Sequence, residues 1–590
     1  MAANKASSGQ ESVNNICVKA TVNRNKKSVV FVEADADLAD VLFGYLTLPM
    51  ATVISLISRK QPPAVTLGCF GNLYRSVEVL EPQHFRTRKC KEMLLRPRNG
   101  ADAYCQYLKI NVEKCDEQQQ QPPYGLFRCD PPSRAGSKSS SSACRDHSTT
   151  NPCLSYDKTD VCRYGKKMTL RVPFLCRDVE EKGLFVKRLS RLVISDDLRV
   201  KPATTAATVS LLSERGVSDA TQVEELTFDF GINEALDLLK LALVSKTPLS
   251  DVLLNTKVAK KELSSKANFL GGFDHRCHRA VVKQVEDAHQ VAPKDSAAAF
   301  LPKKVSTAAR IKLVYSKTKN RVLYAEAGED FVDLIFTFLL VPLGHMFKQM
   351  QDVVDGLTDV IPSEGCMKNL YKSVQDLVAE GCIVGDKDDG RAPVLLRPLL
   401  AARYGYLDHP LGLKEVEYVF VNDKSASSSS SSSSSAAAAA ACPVEGRGRT
   451  AGHIWSTISC VIKDPKLPAT VRPEDPATWK DLSRAAGYVS PSMYTVTDDL
   501  NVSPISPASN LALLRKLNVP FSDIEDRIVH VGKQEASRLL MASLTSNSPL
   551  TAAFLGCACC CEKVQVGGTT SSVDETARPT KRRTRSSNKN

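Results

Sequence analysis

The stretch Glu33 to Pro49 reads EADADLADVLFGYLTLP, and a second stretch, Glu326 to Pro342, reads EAGEDFVDLIFTFLLVP. Seven of the 17 positions are identical, among them Asp40 and Asp333, Phe43 and Phe336, Pro49 and Pro342. Leu38, Val41, Leu42, Tyr45 and Leu46 recur at i, i+3, i+4, i+7 and i+8, which predicts a helix with one apolar face. Asp35 and Asp37 suit its positive N-terminal end. Pro49 should stop or kink it.

Reading outward, Val18 to Val22 and Val29 to Val32 flank the polar turn Asn23-Arg-Asn-Lys. Two β-branched runs around such a turn predict a hairpin, and Ile311 to Tyr315 with Val322 to Ala325 repeats it. Downstream, Gly68 to Leu80 (GCFGNLYRSVEVL) matches Gly365 to Leu377 (GCMKNLYKSVQDL) at eight of 13 positions. Asn72 to Leu80 is predicted to be helical, with Leu73, Val77 and Leu80 on one face.

A second unit also recurs. Asp196 to Pro202 (DDLRVKP) matches Asp498 to Pro504 (DDLNVSP), Gly231-Ile-Asn-Glu-Ala matches Gly532-Lys-Gln-Glu-Ala, and Ser245-Lys-Thr-Pro-Leu matches Ser546-Asn-Ser-Pro-Leu. Leu192 to Ile194 reads as a strand, Ala207 to Arg215 and Glu234 to Val244 as helices. The order is unit A, unit B, unit A, unit B, which is a two-copy duplication and not a solenoid. The expected class is α+β, in two tandem copies of an A–B module: a β-hairpin plus helices, then short strands plus helices.

The expected segments are a disordered N-terminus at 1–14, the first copy at 15–256 with a Cys- and Ser-rich insert at 118–167, and a polar linker at 257–308. The second copy follows at 309–555, with a Ser/Ala low-complexity insert at 425–441. Residues 556–590 carry a cysteine cluster and a basic tail. Polar low-complexity runs behave as tethers.

The chain has 590 residues, 43% of them hydrophobic and 24% charged, so most of it can fold. A net charge of +13 permits contact with nucleic acid or an anionic membrane without requiring either. Nineteen cysteines in this length are too sparse for a disulfide scaffold, and the first residues lack an apolar signal region, so thiols are expected to be reduced in the cytoplasm or nucleus. Val41 to Ile57 carries only neutral residues, but its length is at the bottom of the spanning range and it contains Pro49, Thr52 and Ser55. A buried globular helix is the reading.

The blocks Val29-Val-Phe-Val-Glu-Ala, Asp40 to Pro49, Gly68-Cys-Phe-Gly-Asn-Leu-Tyr-Arg-Ser-Val, Thr497-Asp-Asp-Leu-Asn-Val-Ser-Pro and Glu535-Ala to Pro549-Leu resemble the plant family catalogued as domain of unknown function six-seven-four. The resemblance covers 15–256 and 308–555. It implies a plant protein of no established activity and supplies no catalytic residues. The resemblance also implies a cysteine cluster, frequent in the family, that ends in Cys-x-Cys-Gly-Lys. Here the spot reads Cys162-Arg-Tyr164-Gly165-Lys166, so one expected thiol is replaced by Tyr164.

Several groups are candidates for chemistry. Cys129, Cys144, Cys153 and Cys162, with His147, offer enough ligands for one tetrahedral zinc, yet the spacings of 15, 9 and 9 hold no close Cys pair. Weak zinc binding or none is expected. His275-Arg-Cys277-His278 in the linker is read as solvated chain. Cys557, Cys559, Cys560 and Cys561 suit acylation and peripheral membrane contact, soft-metal capture or plain packing. Lys581, Arg582, Arg583 and Arg585 form a candidate nuclear import signal. The paired Asp196-Asp197 and Asp498-Asp499 suit a turn or cap better than an acid/base dyad. No histidine recurs at matched positions. The leading expectation is therefore a noncatalytic interaction or scaffold protein, the alternative a zinc-assisted or basic-tail nucleic-acid binder, and the third reading an undetected enzyme.

Overall fold

The computed structural model describes residues 15–58, 67–115, 126–128, 154–162, 165–172, 174–175, 179–254, 309–354, 365–384, 391–401, 410–416, 419–422, 456–459 and 487–555. In the first half, β1 (Ile16–Asn23) and β2 (Ser28–Ala34) form the expected hairpin. β3 (Leu192–Ser195) pairs with β2, and β4 (Val200–Pro202) pairs with β3. The far side of β1 takes β5 (Val223–Phe230), an eight-residue strand in full antiparallel register from Ile16–Phe230 to Asn23–Val223. The sheet order is therefore β4-β3-β2-β1-β5. In the second half β6 (Ala309–Ser316), β7 (Arg321–Ala327), β8 (Tyr494–Thr497), β9 (Val502–Pro504) and β10 (Ile524–Val531) build a sheet of the same order, β9-β8-β7-β6-β10.

The likeness extends to irregularities. Both hairpins shift register at one point, Thr21/Val22 and Val314/Tyr315. Both close through a residue of positive φ, Lys27 and Asn320. The turns after β3 and β8 place Leu198 (φ 60) and Leu500 (φ 61) in the left-handed region. Bulky residues avoid that region, and here both side chains are fully buried, which holds them there.

Each hairpin runs into a helix, α1 (Ala36–Gly44) and its counterpart Glu329–Thr337. The apolar stretch through Ile57 is not one continuous helix. After α1 come a 3-10 turn at Tyr45–Thr47 and a break at Leu48–Pro49, then α2 (Met50–Ser58), because proline donates no N–H to the preceding turn. No helix among the described residues is long and apolar enough to cross a membrane. Next come α3 (Phe70–Val79) and α4 (Arg88–Leu95). Unit B adds α5 (Thr205–Glu214), capped by the Thr204 side chain, α6 (Ile232–Ala242) and α7 (Pro248–Leu253). The second half supplies α8 (Glu329–Thr337), α9 (Leu343–Val354), α10 (Met367–Ala379), α11 (Arg391–Leu396), α12 (Pro507–Leu517), α13 (Lys533–Thr545) and α14 (Pro549–Phe554). Unit B is thus more than short strands and helices: the long strands β5 and β10 join it to unit A in one sheet.

One apolar cluster runs through both halves, from Ile16 to Ala553. Smaller clusters lie under α5 (Val30, Phe31, Val193, Leu211) and under α12 (Val314, Leu323, Tyr324, Leu514, Val519).

Candidate functional site

The repeated block beginning Gly68-Cys69 belongs to the seam between the halves. Its helix, α3, docks on the sheet of the second half, and α10 docks on the sheet of the first. The Ser76 hydroxyl accepts the N–H of Val502 at 2.9 Å, and Ser373 accepts that of Val200 at 2.9 Å. The Asn72 amide donates to the Asp499 carbonyl at 2.8 Å, and Asn369 donates to the Asp197 carbonyl at 2.7 Å. Cys69 donates its N–H to the Ser543 carbonyl and its thiol to the Ser546 carbonyl. Cys366 does the same to Ala242 and Ser245. Leu73, Val77, Leu370 and Val374 are fully buried between these bonds. Each contributes about 1.5–3 kcal/mol of apolar burial.

The glycines that open the block permit the approach. A Cβ on Gly68, whose φ is +52°, would sit 2.3 Å from the Ser543 carbonyl oxygen. One on Gly365 would sit 2.4 Å from the Leu243 backbone. Where the halves meet at Pro49 and Pro342, Met50 donates its N–H to Val341 and Leu343 donates to Leu48, both at 3.0 Å.

Carboxylates complete the framework. Asp333 accepts the N–H groups of Tyr488 and Val489, and Asp40 accepts those of Phe185 and Val186. Burial raises the Asp333 pKa to about 7 against those bonds. Asp196 accepts the N–H and hydroxyl of Ser250, as Asp498 does those of Thr551. Burial likewise pushes Asp196 up to about 6 and raises Asp498. Asp197 instead pairs with Arg199 at 2.9 Å, so adjacent aspartates do different work. Burial first, and then the nearby aspartates, push the Cys69 and Cys366 thiols up to about 12, so both stay neutral donors rather than nucleophiles.

A polar cluster occurs in the first half where leucines stand in the second. Asn99 donates to Thr47 Oγ1 at 2.9 Å and to Glu113 Oε2 at 3.1 Å, and Arg98 lies 3.7 Å from Asp102. Burial raises both carboxyl pKa values, each further opposed by Arg98. Leu94-Leu-Arg-Pro97 aligns with Leu395-Leu-Arg-Pro398, which puts Arg98 and Asn99 opposite Leu399 and Leu400. In the sequence this cluster is marked only by differences between otherwise matched blocks.

A cavity opens at the seam beside α9 and α10. It is small, about 50 Å³, and takes lining from both halves, including Met50, Leu544 and Phe347.

Of the residues singled out for chemistry, Cys162 alone among the four zinc candidates lies in the described residues. It is buried, with its sulfur accepting the Lys166 N–H at 3.4 Å. Cys129, Cys144 and Cys153 lie outside the described residues, as do His147, Tyr164, His275, Cys277, His278, the cluster Cys557, Cys559, Cys560 and Cys561, and the tail residues Lys581, Arg582, Arg583 and Arg585. Residues 1–14, 257–308, 425–441 and 556–590 are also outside. Among the described residues no group of three or more His, Cys, Asp or Glu side chains is placed to hold a metal ion.

Fold and seam together define an α+β protein whose two like sheets are locked by exchanged helices. The chain belongs to the family described as "Protein of unknown function (DUF674)", which it matches over residues 12–534. No curated protein and no solved structure matches it.

Proposed function

We propose that the halves are tandem copies of one module, and that the chain is a noncatalytic protein-interaction or scaffold protein of plants. One observation carries this reading. Val209 on α5 and Leu511 on α12 occupy matched positions, 302 residues apart like Asp196 and Asp498. Both expose apolar side chains, at 54% and 45%. α5 buries only Leu211, and α12 only Asn510 and Leu514. Two equivalent, lightly packed helices on halves that share one apolar core suit a partner protein that engages both, with the gain that simultaneous contact brings.

Proximity labelling in the native tissue tests the reading, comparing the wild type with a Val209→Asp/Leu511→Asp double variant. Neighbours lost from the double variant, and retained by either single one at reduced yield, support it. An unchanged neighbour set overturns it. The same fusions address location, which we propose to be the cytoplasm, the nucleus or both. Alanine at Lys581, Arg582 and Arg583 should lower the nuclear share if the tail is an import signal.

A further inference from the structure

Each sheet has one closed edge and one open edge. At the closed edges, the N–H groups of Val200 on β4 and Val502 on β9 are taken by Ser373 and Ser76. At the open edges, β5 and β10 pair on one side only, with β1 and β6, and no strand among the described residues covers their outer sides. Along an antiparallel pair, residues that bond each other alternate with residues that turn their N–H and C=O away. Lys317 donates to the Asp523 carbonyl, and Arg24 to the Gln222 carbonyl, which sets the phase in each half. Glu525, Arg527 and Val529 therefore bond β6, while Asp526, Ile528 and His530 turn their backbone outward. The matched residues of β5, 301 positions earlier as Gly231 is before Gly532, are Glu225, Thr227 and Asp229.

The two triplets differ in what they permit. All six side chains are exposed, each set on one face of its strand. An open edge is a template for a further strand, and charge is a common guard against it. In β5 both ends of the triplet are acids. Two β5 strands meeting about a two-fold axis at Thr227 would oppose Glu225 to Asp229 twice. In β10 an axis at Ile528 instead opposes Asp526 to His530 twice, a carboxylate acceptor to an imidazole donor. It also sets the two Ile528 side chains against each other, and in the single chain Ile528 is 50% exposed. Centring the axis on Asp526 or Arg527 would place like charges opposite each other, so charge selects the register at Ile528.

We propose that β10 is a dimerisation edge whose occupant is the β10 strand of a second copy of this chain, antiparallel about a two-fold axis at Ile528, so that the two sheets join into one. The outward N–H and C=O groups of Asp526, Ile528 and His530 then gain partners, as in other cases of strand addition. The contact is isologous and closes at two copies. The guarded edge of β5 ends the joined sheet on each side and keeps it from growing into a polymer. The surface uses neither Val209 on α5 nor Leu511 on α12, so it stands apart from the scaffold reading.

Sedimentation equilibrium of the full-length chain tests the proposal. A monomer–dimer equilibrium in the micromolar range is expected, with no larger species. Ile528→Thr combined with His530→Asp gives β10 the residues that β5 carries at the matched positions, which the same sheet accommodates. This double variant should associate about 100-fold more weakly, because the axis counts each change twice, at an unchanged far-ultraviolet circular dichroism spectrum. Cysteine variants test the register. Opposed residues of a bonded pair have Cα atoms about 5.5 Å apart, within reach of a disulfide, whereas the two Asp526 positions would lie about 14 Å apart along the strands. Diamide should cross-link Ile528→Cys into a dimer on a non-reducing gel and leave Asp526→Cys at the level of the wild type. A monomeric wild type, a mass that keeps rising past the dimer, undiminished association of the double variant, or equal cross-linking of the two cysteine variants would each overturn the proposal.

Discussion

The hydroxyl of Ser76 accepts the backbone N–H of Val502, a residue 426 positions away in the other half of the chain. The bond is buried, and the Ser76 hydroxyl itself donates to the Asn72 carbonyl one turn back. Ser76→Ala should therefore leave a buried N–H without a partner, at a cost of about 1–3 kcal/mol. Ser373→Ala should cost the same through Val200. Because the two bonds lie on different sheets, the double variant should show about the sum. Urea midpoints at constant slope check this; a double variant as stable as wild type would refute the role.

Gly68→Ala is expected to be severe, since the new Cβ would meet the Ser543 carbonyl at a residue with φ of +52°. A loss above about 2 kcal/mol is predicted, because backbone has to move on both sides. Gly71, three residues on in α3, has open space at its Cβ position. Gly71→Ala should be neutral or stabilise by up to about 1 kcal/mol. Thermal melts of the pair separate close approach from helix propensity.

Stability should fall as pH rises from about 4 to 7. Asp333 titrates near 7 in the folded chain, against an ordinary value of 3.8. A group with a raised folded pKa holds its proton more tightly when folded, so its contribution is complete below pH 4 and lost as pH passes through 7. Three units correspond to about 4 kcal/mol as an upper figure. Asp196, near 6, acts with the same sign. Asp333→Asn mimics the protonated acid: it should flatten the slope and raise stability at pH 8. Denaturation at pH 5 and pH 8 for both proteins decides it; equal slopes would reject the assignment.

Neither 15–256 nor 309–555 should fold as a stable monomer. Alone, each would present a sheet without its covering helix, and a helix whose Asn and Ser side chains face no acceptor or donor. Co-expression should give a one-to-one complex, and each piece by itself should be unfolded or form a homodimer. Sedimentation velocity distinguishes these; a compact monomer of either piece would contradict the seam.

Much of this architecture was legible. The spacing from Leu38 to Leu46 and the stop at Pro49 predicted α1 and its end, and the polar turn at Asn23 predicted the hairpin. The strands β5 and β10 were missed, although Leu226, Phe228 and Phe230 alternate with Glu225, Thr227 and Asp229; the run lies between two helical patterns and masks its own period. The exchange of α3 and α10 was not legible at all. When two copies carry the same surface, a helix fits its own sheet and its neighbour's by the same residues, so the pattern specifies the contact and leaves the partner open. The Asp196-Asp197 pair was correctly read as a turn, but the burial that separates the two side chains depends on Ser250, 54 positions away.

The mutual docking of α3 and α10 also frees the chain from its own order. The bonds made by α3 and by α10 each join one half to the other, in both directions, and none relies on the covalent passage through 255–308. A circular permutant that begins at 309, runs to the present C-terminus, continues into the present N-terminus and ends at 254 retains all of them, with 14 residues before Asn15 and 35 after Leu555 available as the new joint. Which half the ribosome finishes first is, for the assembled molecule, a matter of indifference.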